Sequence, residues 1–266
     1  MEWNLYKICF RLKSPLHIGW KRTAFFQQTR SFVPAKNIWG ALIAVLGREK
    51  ENYKQIEELI ESGLRFSYFY PTDDKSKISI FPWEDSDKFE WLYLNSYVST
   101  PLDKKLAKCG YLHEVEYISP YTREGNAVFI IGYILERKNS NLDWREALDH
   151  IQIGGERSSG WGRVKVETIE ESDTIFGIQV DLQNDLPQII YDTDNKHLFA
   201  HVRVEKNYEC ENDCQGPVEP VIGRDTSCKN NFGGNIKADL CWMPGCKYKK
   251  SNFKIEAQGL WVPVKK

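Results

Sequence analysis

Eleven residues, Ile153-Gly154-Gly155-Glu156-Arg157-Ser158-Ser159-Gly160-Trp161-Gly162-Arg163, hold four glycines, two arginines, two serines and a tryptophan. Glycine tolerates a positive φ and lets a second backbone come close. Successive amides in such a loop form a concave anion site. Arg157 and Arg163 bring charged, forked donors that suit phosphate. Trp161 offers a face on which a base can stack. The segment reads as a phosphate cradle with an aromatic platform, built from Gly154, Gly155, Arg157, Ser158, Ser159, Gly160, Trp161, Gly162 and Arg163. As a plain tight turn it would leave its arginines to solvent.

A second set of charged groups lies upstream. From Trp3 to Arg48 there is no Asp or Glu, but there are Lys7, Arg11, Lys13, Lys21, Arg22, Arg30, Lys36 and Arg48. From Glu167 to Asn195 the balance inverts, with Glu167, Glu170, Glu171, Asp173, Asp181, Asp185, Asp192 and Asp194 and no Lys or Arg. The net charge of −1 hides this separation. One positive and one negative face follow, unless folding averages them. The positive face suits a phosphate backbone held with salt-sensitive affinity. Its candidate contacts are Lys13, His17, Lys21, Arg22, Arg30 and Lys36, with Phe25 or Phe26 as a further stacking surface. His17 with Lys21 or Lys36 is also the best set for metal-free RNA cleavage, which needs a base at the 2′-OH and a cation for the developing charge. As a binding group the same histidine needs no such partner, and no other catalytic residue is assigned.

Late in the chain, Cys210, Cys214, Cys241 and Cys246 form a C-x3-C and a C-x4-C pair, with Cys228 left over. Four thiolates so spaced suit a structural zinc. The alternative is a set of buried free thiols. Seven cysteines, an odd number, do not resemble a secreted disulfide framework. No apolar run approaches the ~20 residues of a membrane span, and the amino terminus lacks the pattern of a signal peptide. The expected location is the cytoplasm, with no membrane partner. No Walker, Rossmann or Ser–His–Asp pattern occurs.

The elements that must position these groups follow from periodicity. Tyr6, Ile8, Phe10 and Leu12 alternate with Leu5, Lys7, Cys9 and Arg11, which predicts a half-buried strand. A loop is expected from Ser14 to Arg30. Pro34 opens a helix with Ile38, Ala41, Leu42 and Val45 on one face and Gly47 at its end. Gly40 within it suggests close backbone packing. A second helix fits Glu51–Ser62, and short strands fit Phe66–Tyr70 and Ile78–Phe81. Residues 99–126 read as loop or hairpin, Ala127–Glu136 as an apolar strand, and Asp143-Trp144-Arg145-Glu146 as a capping box opening a short helix. A strand to about Thr168 follows the glycine loop. Beyond Ser172 the pattern is strand-rich, at Ile175–Leu182, Gln188–Tyr191, Leu198–Val204, Ile236–Met243 and Phe253–Leu260. Trp39, Trp91 and Trp144 are expected in the core. The order suits an α+β protein: an N-terminal ferredoxin-like (RRM-type) domain over 1–170 and a β-rich C-terminal domain over 171–266.

This order resembles the RAMP superfamily of CRISPR-associated RNA-binding proteins. The resemblance rests on Leu12-Lys13-Ser14-Pro15-Leu16-His17-Ile18-Gly19, on Phe32-Val33-Pro34-Ala35-Lys36-Asn37-Ile38-Trp39-Gly40-Ala41-Leu42, and on the Gly154–Gly162 loop before a closing strand. It implies a ferredoxin-like fold and CRISPR RNA (crRNA) as partner. Gly216-Pro217-Val218-Glu219-Pro220-Val221-Ile222-Gly223-Arg224 and Gly259-Leu260-Trp261-Val262-Pro263 are similar to the ending of "Cas-five"-class subunits of type III-D and type VII effectors, which hold the 5′ handle of the guide. The implied partners are crRNA, other effector subunits such as a Cas-seven-like backbone, and, indirectly, the target nucleic acid. Target-cutting relatives use an aspartate after the first strand. This chain has no acid there, which favours a non-catalytic cap. The alternatives are a metal-independent endoribonuclease that matures crRNA and a Cas-seven-like backbone subunit lining the guide.

Overall fold

The computed structural model describes residues 2–108, 110–191, 196–204, 214–225, 235–249 and 252–264. The fold is α+β. The first part runs β1 (Trp3–Leu12), β2 (Gly19–Thr23), β3 (Phe26–Thr29), α1 (Ala35–Glu49), α2 (Tyr53–Gly63), β4 (Leu64–Phe66), β5 (Tyr70–Thr72) and α3 (Ser86–Tyr93). It continues with β6 (Leu94–Ser99), β7 (Leu102–Asp103), β8 (Leu106–Ala107), β9 (His113–Ile118), β10 (Phe129–Arg137), α4 (Trp144–Ala147) and β11 (Val164–Glu171). Only strands follow among the described residues: β12 (Thr174–Ile175), β13 (Ile178–Asp181), β14 (Gln188–Ile190), β15 (Lys196–His197), β16 (Val202–Arg203) and β17 (Cys214–Gln215). The last are β18 (Val218–Asp225), β19 (Asn235–Trp242), β20 (Lys247–Tyr248), β21 (Asn252–Ile255) and β22 (Trp261–Pro263).

Three sheets matter for function. The first has the order β11–β1–β10–β4, with β5 also on β10. Its centre is β10, whose apolar run Phe129–Leu135 is buried on both faces. The second, smaller sheet is β2–β3–β9–β6. The third has eight strands, from β12 through β21 and β22 to β18 at its edge.

One face of the first sheet carries the helices. Tyr6 meets Trp144 of α4 with ring centroids 5.8 Å apart. Trp144 is fully buried and donates from Nε1 to Glu136 at 2.8 Å. Arg145 pairs with the same carboxylate at 2.8 Å. Burial of that carboxylate is tolerated because both partners satisfy it.

The other face is also covered, so β1 is not the half-buried strand that its alternation predicts. Cys9 is fully buried with Phe129, Ile131 and the side of Ile78. Further along, Tyr70 and Tyr133 meet Phe176 edge-on at 5.3 and 5.0 Å, and Phe199 stacks on Phe176 at 5.1 Å. Such aromatic pairs add roughly 0.5–1.5 kcal/mol each beyond area burial. These contacts join the late strands to the first sheet in one continuous hydrophobic cluster running from Trp3 to Trp261.

Several local expectations need correction. Ile78–Phe81 forms no strand; it is a loop laid on β10, tied by Thr72 and Ser79 hydroxyls. The stretch from Ser14 to Arg30, expected as loop, contains the β2–β3 hairpin. Helix α3 was not anticipated; Asp85 caps it by accepting from Lys88 N at 3.0 Å, and Phe89, Leu92 and Tyr93 are its buried stripe. Asp143 precedes α4 but its side chain makes no cap bond. Trp91 lies at the surface, 53% exposed. Gly47 lies inside α1 rather than after it, with the Tyr53 ring where a Cβ would project.

Apart from the backbone of its own helix, no described atom lies within 4 Å of the position a Gly40 Cβ would take, so close packing is not its reason. Gly40→Ala is therefore expected to stabilise the protein by about 0.8–1 kcal/mol, the helical propensity difference. Thermal melting checks it, and a lowered melting temperature would contradict the free space seen there.

Candidate nucleic-acid interface

The sheet itself brings the two sequence-predicted segments together. β1 and β11 are antiparallel neighbours, with Leu12 opposite Val164. The chain leaving β1 therefore meets the chain entering β11. Hydrogen bonds sew them along a seam: Lys13 N donates to Arg163 O at 2.9 Å, Arg163 N to Ser14 Oγ at 2.9 Å, Gly162 N to Pro15 O at 2.7 Å and Gly155 N to His17 O at 2.8 Å. Gln152 Nε2 braces the loop from within by donating to the carbonyls of Arg157 and Trp161.

Two glycines make this closeness possible. Gly162 has φ +76°, and a Cβ there would lie 1.8 Å from Ile153 O. Gly154 has φ +81°, and its Cβ would lie 2.4 Å from His17 O. An L side chain would fail at both sites on conformation and on space.

Most loop amides are thus engaged inside the protein. Ser159 and Trp161 donate to Glu156 O, and Gly160 to Arg157 O. The amides of Glu156, Arg157 and Ser158 have no acceptor among the described residues. Glu156 is left-handed, with φ 52° and ψ 25°, and a single 3₁₀ turn follows over Arg157–Ser159. Consecutive free amides after a left-handed residue are the geometry of an anion nest. The side chains of Arg157, Ser158, Ser159 and Arg163 are exposed around it.

Trp161 is half-buried against aromatic rings that sequence reading missed. Tyr117 of β9 lies 5.0 Å away edge-on, and Tyr97 of β6 lies 6.4 Å away. Asn95 pairs with Tyr117 and Tyr97 with Val115, so the two tyrosines are diagonal neighbours on one sheet face. Tyr97 is 58% exposed and open to a stacking partner. Tyr117 falls inside residues 99–126, which read as loop or hairpin, and Tyr97 lies just before them. Phe25 is exposed and Phe26 half-buried on the β2–β3 hairpin.

His17 lies under the loop, 6% exposed, with its ring beside the position of a Gly155 Cβ. Its Nδ1 is 2.7 Å from Glu116 O. A carbonyl only accepts, so Nδ1 carries the proton in the neutral ring and Nε2 is the free lone pair. The ring is fixed, and little of it meets solvent.

The remaining candidates separate. Lys13, Lys21, Arg22 and Lys36 are exposed. Arg30 is engaged elsewhere: its Nη1 lies 2.5 Å from Glu219 Oε1 of β18. The acid absent from residues 3–48 thus arrives from 189 residues away. Glu219 also accepts from Trp20 Nε1 at 3.1 Å and from His201 Nε2 at 2.6 Å. Burial works against its charge, but bonds from His201 and Arg30 outweigh it and hold the Glu219 carboxyl down at about 2. Burial lowers the pKa of His201, keeping its ring neutral. Nε2–H then donates to Glu219, and Nδ1 accepts from the fully buried Tyr68 hydroxyl at 2.7 Å. Although the Lys36 side chain as a whole is exposed, desolvation at its ammonium and the nearby Arg30 lower its pKa, and Nζ reaches Ile222 O at 3.3 Å.

The cysteines divide. The buried thiols of Cys214 and Cys246 are hydrogen-bonded neighbours, which raises the pKa of Cys214. Cys241 lies on β19, with Sγ 3.6 Å from Asp239 O. Cys210 falls outside the described residues. Among the described residues no three His, Cys, Asp or Glu side chains form a metal-holding group. Of the four cysteines expected to hold zinc, the described residues bring Cys214 and Cys246 together.

The sequence profile of the RAMP superfamily matches residues 9–165. No curated protein matches the chain. Among solved structures, one chain of a type III-B Cmr-beta complex bound to cognate target RNA is 15% identical. The match covers 64% of this chain and 61% of that one, with a TM-score of 0.45, so this protein spans about three fifths of that chain's length. A chain of the type III-B Cmr-beta complex with cognate target RNA and AMPPnP is 12% identical over 91% of this chain and 86% of that one, TM-score 0.49. A CRISPR protein from Archaeoglobus fulgidus is 15% identical over 98% and 99%, TM-score 0.44.

Proposed function

Since this chain belongs to the RAMP superfamily, we propose that it is a non-catalytic, RNA-binding subunit of a CRISPR effector ribonucleoprotein that anchors the 5′ handle of the crRNA. The observation that carries this reading is the seam between residues 13–17 and the glycine loop. On a ferredoxin-like half built from β1, β4, β10 and β11, that seam aligns exposed cations with three free amides and an aromatic face. Single-stranded RNA is held in this way, phosphates on charge and amides, splayed bases on rings. Arg157, Arg163 and Lys13 would take phosphates, with Ser158 and Ser159 beside them. Trp161 and Tyr97 would take bases. The partners that follow are crRNA and neighbouring effector subunits.

Arg157→Glu is expected to weaken single-stranded RNA binding about tenfold and to make the log–log salt slope shallower by about 0.7, one phosphate contact. Fluorescence anisotropy across a salt series measures both. An unchanged slope would place Arg157 away from the strand. Incubation with repeat RNA in EDTA tests the absence of catalysis; cutting abolished by His17→Ala would replace this reading with a metal-independent ribonuclease.

A further inference from the structure

A cavity of about 630 Å³ opens between the β2–β3 hairpin, the start of α1 and β18. Its size suits a small ligand. Trp20, Lys21 and Lys36 line it, together with Tyr68, His201 and Glu219. The last three are bonded to one another through His201.

The charge in this cavity is unbalanced. Among the described residues, Glu219 is the only acid lining it, against Lys21, Arg30 and Lys36. Arg30 neutralises Glu219, and His201 is neutral, so both lysines are in surplus. Lys36 reaches only a neutral carbonyl. Helix α1 begins at the same wall, with no acid in its first turn and no side-chain cap at Pro34. Its amino end adds positive potential to the lysines. Trp20 stands 38% exposed, held by Glu219 through its indole nitrogen. Val218 and Ile222 leave an exposed apolar rim. A fixed indole, an apolar rim and two surplus cations match one ligand chemistry, a planar base joined to a phosphate. The cleft also lies on the path of the seam: Trp20 is three residues beyond His17, roughly 10 Å along an extended chain.

We propose that this cleft receives one nucleotide of the bound RNA strand, its phosphate at Lys21, Lys36 and the amino end of α1 and its base against Trp20 and the Val218–Ile222 rim. The proposal rests on the RNA-binding reading above and adds a second, separable contact made by the late strands.

The test is photo-crosslinking of the full-length protein. A single-stranded RNA carries 4-thiouridine at each position in turn, and crosslinked peptides are identified by mass spectrometry. Crosslinks to the Trp161 peptide are expected at some positions and to the Trp20 peptide at a neighbouring one. Lys36→Glu should reduce the Trp20 crosslink about tenfold and leave the Trp161 crosslink in place, since one phosphate contact is reversed in charge. Lys36→Gln, which keeps the aliphatic stem, should give a smaller loss. Crosslinks to Trp161 alone, or a Trp20 crosslink indifferent to Lys36, would overturn the cleft and spare the seam. A Trp20 crosslink without any at Trp161 would support the cleft and overturn the seam. Crosslinks to neither would overturn both.

Discussion

Gly162→Ala is expected to abolish RNA binding and to lower the melting temperature by roughly 6–12 °C, the consequence of about 3 kcal/mol lost in a chain of this size. Two effects combine. The residue sits at φ +76°, where an L side chain is strained, and its Cβ would fall 1.8 Å from a backbone oxygen. Backbone cannot step aside as a side-chain tip can, so the loop must leave the strand end. The bonds from Gly162 to Pro15 and from Gly155 to His17 would part, and the free amides would lose their alignment. Gly160→Ala is the control. Its φ is +85°, but the nearest atom is 3.8 Å away. It should cost only the conformational strain, about 1 kcal/mol. Thermal melting and anisotropy on both variants separate strain from undocking. Equal effects at the two glycines would mean that the loop does not depend on the seam.

The second large effect is a two-step loss of stability on acidification. His201 has a folded pKa below its unfolded value of about 6.5. Its contribution is full above that value and is lost as pH falls from there through the lower folded pKa, because the unfolded chain takes up the proton first. Glu219 has a folded pKa of about 2 against an unfolded value near 4.5. Its contribution is full above about pH 5 and is lost as pH falls towards 2. Glu219→Gln should cost roughly 2–3 kcal/mol at pH 7 by leaving Arg30 uncompensated in a largely enclosed site. It should also flatten the second step. Urea unfolding at a series of pH values measures this, and identical pH profiles for wild type and variant would show that Glu219 is not the group responsible.

What the sequence makes legible is what repeats locally. β1, α1, α2, β10 and β11 follow from the spacing of their own apolar residues, and the glycine loop stands out by composition. Both faces of the seam could be named because each is a short contiguous run. What gathers around Glu219 could not. Arg30 follows β3, Tyr68 joins β4 to β5 and His201 precedes β16, and no local period announces that they meet. The aromatic patch of Tyr97, Tyr117 and Trp161 was hidden for a related reason: its strands are short, half-exposed and bordered by Pro, Lys and Gly. Gly40 shows the reverse error. A helical glycine invites a packing explanation, yet in the fold its side is empty.

The covering of the first sheet has a consequence for how a guide would be laid down. An open four-stranded palm lets nucleotides spread across it, each resting on a separate strand. Here Ile78 and its neighbours close one end of the palm, while Phe176 and Phe199 close the other. What this sheet still offers a polynucleotide is its rim, where the ends of β1 and β11 touch. Contact along a line favours few nucleotides in fixed register over many in loose association. In the proposed role, such a molecule would mark where a strand begins rather than measure how long it is.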